Sequence, residues 1–293
     1  MIEDRVATAI RAYVDAGELA GAAALVWRDG KAHITTVGWR NVDTRLPIER
    51  DTIFRIASMT KPVTSTAALM LFEEGRFALD DPITRWAPEF SQMRVLWSPD
   101  ASLVETNPAE RPITFEDLLT HRSGLTYGDF HRGPIASAYK EALGGAIDSD
   151  VAPDRWIERL AALPLIDQPG RSFHYGHSTD LLGLLIARME DAPLEDVLKR
   201  RIFDPLGMTD TGFTSPGRST VDAPACTALT RQAVWPRFEL FLAGTPCPNA
   251  PTTWPMSRAA RAFGRRSTTI SLSRGCSWSK ARWTACGCCG RTL

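Results

Sequence analysis

Cysteine is absent from residues 1–225, and Asp and Glu are absent from residues 240–293. The first absence excludes a disulfide or thiolate-metal framework over most of the chain. No run of 18 apolar residues occurs, which excludes a membrane-spanning helix of the usual kind. The N-terminus, Met1-Ile2-Glu3-Asp4-Arg5-Val6, is acidic where an export signal is basic and then apolar, so a cytoplasmic location is expected.

At 293 residues with 44% apolar composition the chain has enough material for a large core. Its formal net charge of zero conceals two unlike parts. Residues 1–222 hold 33 of 34 acidic and 24 of 34 basic residues, a net −9. Residues 223–293 set ten basic residues against Glu239 alone, a net +9, and carry all six cysteines, Cys226, Cys247, Cys276, Cys286, Cys288 and Cys289. A folded domain over 1–222 and an atypical tail over 223–293 are therefore expected. Translation of a GC-rich gene out of frame would give such a tail, and reading the encoding DNA in the other two frames tests that. No CxxC pair partners Cys286-Gly287-Cys288-Cys289, so zinc is not expected. The tail's charge comes with no nucleic-acid motif or basic helix face.

Along the chain, Val6, Ile10, Tyr13 and Val14 share one face of a helix over 3–16. Ala22 to Trp27 and Ala32 to Gly38 read as a β-hairpin closed at Arg28-Asp29-Gly30. A polar turn then gives way to an apolar helix ending near Gly75. Thr114-Phe115-Glu116-Asp117 has the form of a capping box. Residues 128–145, rich in Gly and small side chains, read as a loop at the rim of a pocket, where Asp129, His131 and Arg132 either contact substrate or are solvated. Helices are expected over 153–163, after a cap at Ser178 or Thr179 (Leu181, Leu182, Leu185, Ile186, Met189), and again from Leu194 to a stop before Pro205.

The stretch Phe54-Arg55-Ile56-Ala57-Ser58-Met59-Thr60-Lys61-Pro62 places a hydroxyl and an amine at i and i+3, one face of a helix. A serine hydroxyl is a weak nucleophile and needs a base; a lysine serves if burial or a neighbouring cation favours the free amine. Pro62 is at home in a helix's first turn, and a serine there would leave its N–H for an oxyanion. By itself Ser58 reads as a helix cap before it reads as a nucleophile. A second SxxK, Ser277 to Lys280, precedes no apolar helix face and reads as coincidence.

The flanking residues decide for chemistry. Phe54 to Pro62 resembles the nucleophile segment of the serine β-lactamase-like hydrolases: class C β-lactamases, DD-peptidases and the carboxylesterases of that fold. Gly21 to Gly30 is similar to the family's first strand and turn. Leu118 to Leu125, Phe173-His174-Tyr175-Gly176-His177-Ser178 and Pro205 to Thr211 resemble further landmarks, so the likeness covers roughly residues 1–215. It implies an α+β fold, with an antiparallel sheet flanked by helices, an all-helical region and a sheet left incomplete. It also implies that Tyr175 shares proton transfer with Lys61. His177 stands where β-lactamases usually have Asn, which implies either a substrate contact or an ordinary histidine, and turns the expectation from lactams toward esters. The strand that binds the substrate carboxylate and gives a second oxyanion N–H finds no counterpart in the tail.

The resulting expectation is a serine hydrolase acting on a small-molecule ester or amide through an acyl-enzyme on Ser58. Catalysis falls to Ser58, Lys61 and Tyr175 and a substrate contact to His177, with no metal, cofactor, nucleic-acid or membrane partner. The alternative is an impaired, truncated relative lacking the C-terminal substrate-binding strand.

Overall fold

A computed structural model describes residues 2–144 and 149–213. The tail over 223–293, its cysteines, the second SxxK and the expected loss of a substrate-binding strand lie outside the described residues.

Helix α1 (Ile2–Asp15) leads to strands β1 (Gly21–Arg28) and β2 (Lys31–Asn41), which pair antiparallel with Arg28 opposite Lys31. Two residues, Asp29 and Gly30, close the hairpin with φ of 51° and 75°. Two successive positive φ values define the turn whose twist matches that of the strands, and Asp-Gly accepts them at small cost. Strand β2 bulges near Trp39 and pairs with the short β3 (Leu46–Pro47), giving the order β1-β2-β3.

The helical region is built on α2 (Thr60–Glu73) and α6 (Ser178–Glu190). The buried face of α2 is Thr64, Ala67, Ala68 and Leu71; that of α6 includes Leu181, Leu182, Leu185, Ile186 and Met189. Small residues let the segments close up: a Cβ on Gly183 would lie 2.7 Å from Leu194 and 3.6 Å from Thr64. Helix α5 (Pro153–Ala161) adds Trp156, Ile157 and Leu160 to the same core.

Helix α3 (Phe115–Leu119) begins with the expected capping box, Asp117 N–H donating to Thr114 Oγ1 (3.3 Å) and Thr114 N–H to Asp117 Oδ2 (3.0 Å). Arg111 grips the buried Asp117 carboxylate through two N–H groups at 2.6 and 2.8 Å.

Four sequence readings change. Residues 128–145 are not one loop: α4 (Pro134–Leu143) runs through them and buries Ile135, Ala138, Tyr139 and Leu143, with Pro134 in its first turn. A short hairpin of β4 (Arg94–Leu96) and β5 (Thr106–Pro108) was not expected, because three-residue strands show no period. Helix α7 (Leu194–Leu198) does not stop before Pro205. It continues through a π-turn at Lys199–Phe203 into α8 (Asp204–Leu206), where proline occupies a first turn that needs no N–H. Ser178 and Thr179 do not cap α6; they turn inward and hold the site.

Candidate active site

Ser58 lies in a 3₁₀ turn (Ala57–Met59) that runs directly into α2, placing Lys61 one turn further on. Ala57, just before it, has φ of +41°, a conformation that costs a non-glycine residue on the order of 1–2 kcal/mol. The turn presents Ser58 outward: residue 58 is exposed, while Lys61 is half-buried.

Two loops bring aromatic side chains to this turn. One follows α3 and ends at Tyr127; the other precedes α6 and carries Tyr175. Backbone bonds join them, from Ile166 N–H to Gly124 (3.0 Å), Gly170 N–H to Arg122 (2.7 Å) and His174 N–H to His121 (2.8 Å). The buried hydroxyls of Ser123 and Ser178 meet at 2.8 Å, and Thr179 Oγ1 lies 3.4 Å from His121 Nε2. Gly176 permits the close approach: a Cβ there would fall 2.3 Å from Thr126 Cα.

The side chains converge on Ser58. Its Oγ accepts from Tyr175 Oη at 2.8 Å and lies 3.4 Å from Lys61 Nζ. Lys61 Nζ also donates to Tyr127 Oη at 3.2 Å and sits above the rings of Tyr175 (4.8 Å) and Tyr127 (5.5 Å). Tyr127 Oη in turn donates to Asp180 Oδ2 at 3.2 Å. Burial, and then the Asp180 charge, hold the Tyr127 phenol well above its ordinary range, so it stays protonated. The His121 ring stacks on Tyr175 at 5.1 Å, and burial followed by the nearby Lys61 charge holds that imidazole below the usual histidine range.

The three residues proposed from sequence as catalytic, Ser58, Lys61 and Tyr175, thus meet at one exposed point. His177, expected as a substrate contact, is not brought to that point: it sits behind the three, enclosed by aromatic rings. It is buried, packs against Tyr127 (4.5 Å), Trp156 (5.4 Å) and Tyr139 (5.7 Å), and places Nδ1 2.9 Å from Asp180 Oδ2. His174 turns away, bonding Asp167 at 3.2 Å beside a separate cleft of about 420 Å³ walled by Trp97 and Arg171. His131 bonds Thr126 Oγ1 at 2.9 Å. Sequence reasoning missed Tyr127 and Asp180. Asp180 was within reach, since it stands three residues after His177 in the first turn of α6, where i and i+3 share a face. Tyr127 offered no local signal.

These features define a class, proteins with a serine-lysine-tyrosine constellation at the start of a helix in an α+β fold of small antiparallel sheets and helices. The family model described as Beta-lactamase matches residues 6–244, and the chain belongs to that family. The match runs past residue 215, where the resemblance in the sequence was expected to end. The chain is 49% identical over 205 residues to Protein Rv1367c of Mycobacterium tuberculosis, covering 70% of this chain and 50% of that protein. It is 35% identical over 199 residues to Esterase EstB of Burkholderia gladioli, covering 67% and 48%. Among solved structures, EstCE1, described as a hydrolase with promiscuous acyltransferase activity, superposes with a TM-score of 0.65 at 27% identity, covering 75% of this chain and 54% of EstCE1. The chain spans about half the length of the curated relatives it matches.

No helix among the described residues is long and apolar enough to cross a membrane.

Proposed function

We propose that this chain carries an acyl-serine hydrolase centre with an ester as its preferred substrate. The observation that carries the reading is the convergence on the exposed Ser58 Oγ of Lys61 Nζ at 3.4 Å and Tyr175 Oη at 2.8 Å. In this reading the free amine of Lys61 takes the Ser58 proton as Oγ attacks the carbonyl. Tyr175, already bonded to Oγ, gives its proton to the leaving oxygen and is re-protonated by the Lys61 ammonium, so the serine proton is the one delivered overall; water then releases the acyl group. The 3.4 Å contact is long for proton transfer and closes as substrate binds. Ser58 N–H supplies one oxyanion donor; the strand that gives a second in the family finds no counterpart in the sequence of the tail. Ester preference is supported by the description of EstB as an esterase and by His177, which stands where β-lactamases usually have Asn.

Reaction with a fluorophosphonate, alongside turnover of a short-chain aryl ester and a chromogenic cephalosporin, tests this. Wild-type protein is expected to be labelled at Ser58 and to turn over the aryl ester faster than the cephalosporin; Ser58→Ala is expected to lose both label and turnover with its melting temperature unchanged. A folded wild-type chain that takes no label would sink the reading and support the impaired, truncated alternative.

A further inference from the structure

We propose that Asp180 is a positioning residue for the base: it holds Tyr127 as a hydrogen-bond acceptor for Lys61, which leaves Tyr175 to exchange a proton with Ser58. This rests on the acyl-serine reading and adds to it a division of labour between the two phenols.

A carboxylate can only accept, whereas a phenol has a single proton to donate. Asp180 Oδ2 receives that proton from Tyr127 at 3.2 Å, so Tyr127 Oη can offer Lys61 Nζ, also at 3.2 Å, nothing but lone pairs. One N–H of the lysine is thereby directed at Tyr127. With that direction fixed and the amine free, its own lone pair is available toward Ser58 Oγ. Removing Asp180 would release the Tyr127 proton to rotate onto the Lys61 lone pair, in direct competition with the Ser58 hydroxyl. The burial that keeps Tyr127 protonated makes that competition effective.

His177 explains how a carboxylate with a side chain 45% exposed is kept in place. Its own side chain is 5% exposed and enclosed by Tyr127, Tyr139 and Trp156, with Nδ1 aimed at Asp180 Oδ2 at 2.9 Å. Because the carboxylate cannot donate, Nδ1 must carry the hydrogen. The buried ring thus fixes the carboxylate, the carboxylate fixes the phenol and the phenol fixes the lysine. Tyr175 stands outside this chain, with its hydroxyl on Ser58 and its ring beneath Lys61.

The test compares full-length wild type with Tyr127→Phe, Asp180→Ala and the double variant. Three quantities are read: the second-order rate of fluorophosphonate labelling at Ser58, kcat and KM on an aryl ester, and the melting temperature. Each single variant is expected to label about 10–100-fold more slowly and to lose kcat by a similar factor, with KM within about twofold, as for a group acting on the chemical step. The double variant is expected to fall no further than the worse single, because both remove one bond chain. Singles that label at the wild-type rate, or a double that loses the product of the two single effects, overturn the proposal. If Asp180→Ala does not fold, Tyr127→Phe decides alone: an unchanged labelling rate in that isosteric variant overturns it. Folded wild type that takes no label instead removes the acyl-serine reading itself, and this proposal with it.

Discussion

Ala57 shows how a single residue can set the direction of its neighbour. Its φ of +41° is uncomfortable for any side chain, yet it turns Ser58 out of the chain path and toward Lys61 and Tyr175. Relief of that strain, about 1–2 kcal/mol, would be partly offset by the larger unfolded-state entropy of glycine, about 0.5–1 kcal/mol. Ala57→Gly is therefore expected to raise unfolding free energy by up to about 1 kcal/mol while slowing labelling of Ser58 several-fold, since the turn loses its rigidity. Urea titration and labelling kinetics on the same sample check the pair of effects. The Ser58–Lys61 contact was legible in sequence because three residues on a helical turn must be neighbours. The contacts of Ser58 with Tyr175 and of Lys61 with Tyr127 span 117 and 66 residues, and nothing local announces the second.

At the scale of elements, the two aromatic loops matter more than any helix. Gly176 lies against the backbone of Thr126 so closely that a methyl group would overlap it. Gly176→Ala is expected to cost about 1–3 kcal/mol as an overpacking change. By prising Tyr175 and Tyr127 apart on the order of 1 Å, it should also lower ester turnover about 100-fold. Thermal melting and kcat/KM measure the two; a variant with wild-type turnover would show that the loop contact does not set the site. Helices α5 and α6 could be read from their apolar spacing, and α3 from its capping box. Helix α4 could not, because Gly128 and Gly133 before it and Gly144 after it masked the apolar positions at Ile135, Ala138, Tyr139 and Leu143. The stop before Pro205 was misread for a related reason: a proline ends one helix and begins another with the same residues around it.

Across the described molecule, charge ties distant segments together. Glu190, at the end of α6, bonds Arg200, Arg201 and Arg76, and Arg201 also reaches Glu74 at the end of α2. Burial pushes the Glu190 carboxyl up, but the pairs with Arg201, Arg200 and Arg76 outweigh it and hold it below its usual 4.5. Glu89 is likewise held down, by its hydrogen bonds from Arg188. A carboxylate with a depressed folded pKa contributes stability that is present above the unfolded value and lost as pH falls through the folded one. His121 and His131, held below 6.5 chiefly by burial, act in the same direction because the fold prefers them neutral. Stability is therefore expected to fall as pH drops below about 6.5, and more steeply below about 4.5. Glu190→Gln is expected to flatten the steeper part. Melting temperature between pH 7 and pH 3 measures both.

The sequence by itself determined what depends on near neighbours: the hairpin turn at Asp29-Gly30, the capping box at Thr114, the apolar faces of α5 and α6, and the pairing of Ser58 with Lys61. The motifs around Ser58 and Tyr175 also carried the family. Tertiary structure decided what depends on residues far apart in the chain. It placed His177 behind the site with Nδ1 on Asp180, put Tyr127 on the lysine and turned Ser178 and Thr179 inward. The physical reason is that a helix fixes directions over three or four residues, whereas two loops meet only when glycine contacts, backbone bonds and buried hydroxyls bring them together.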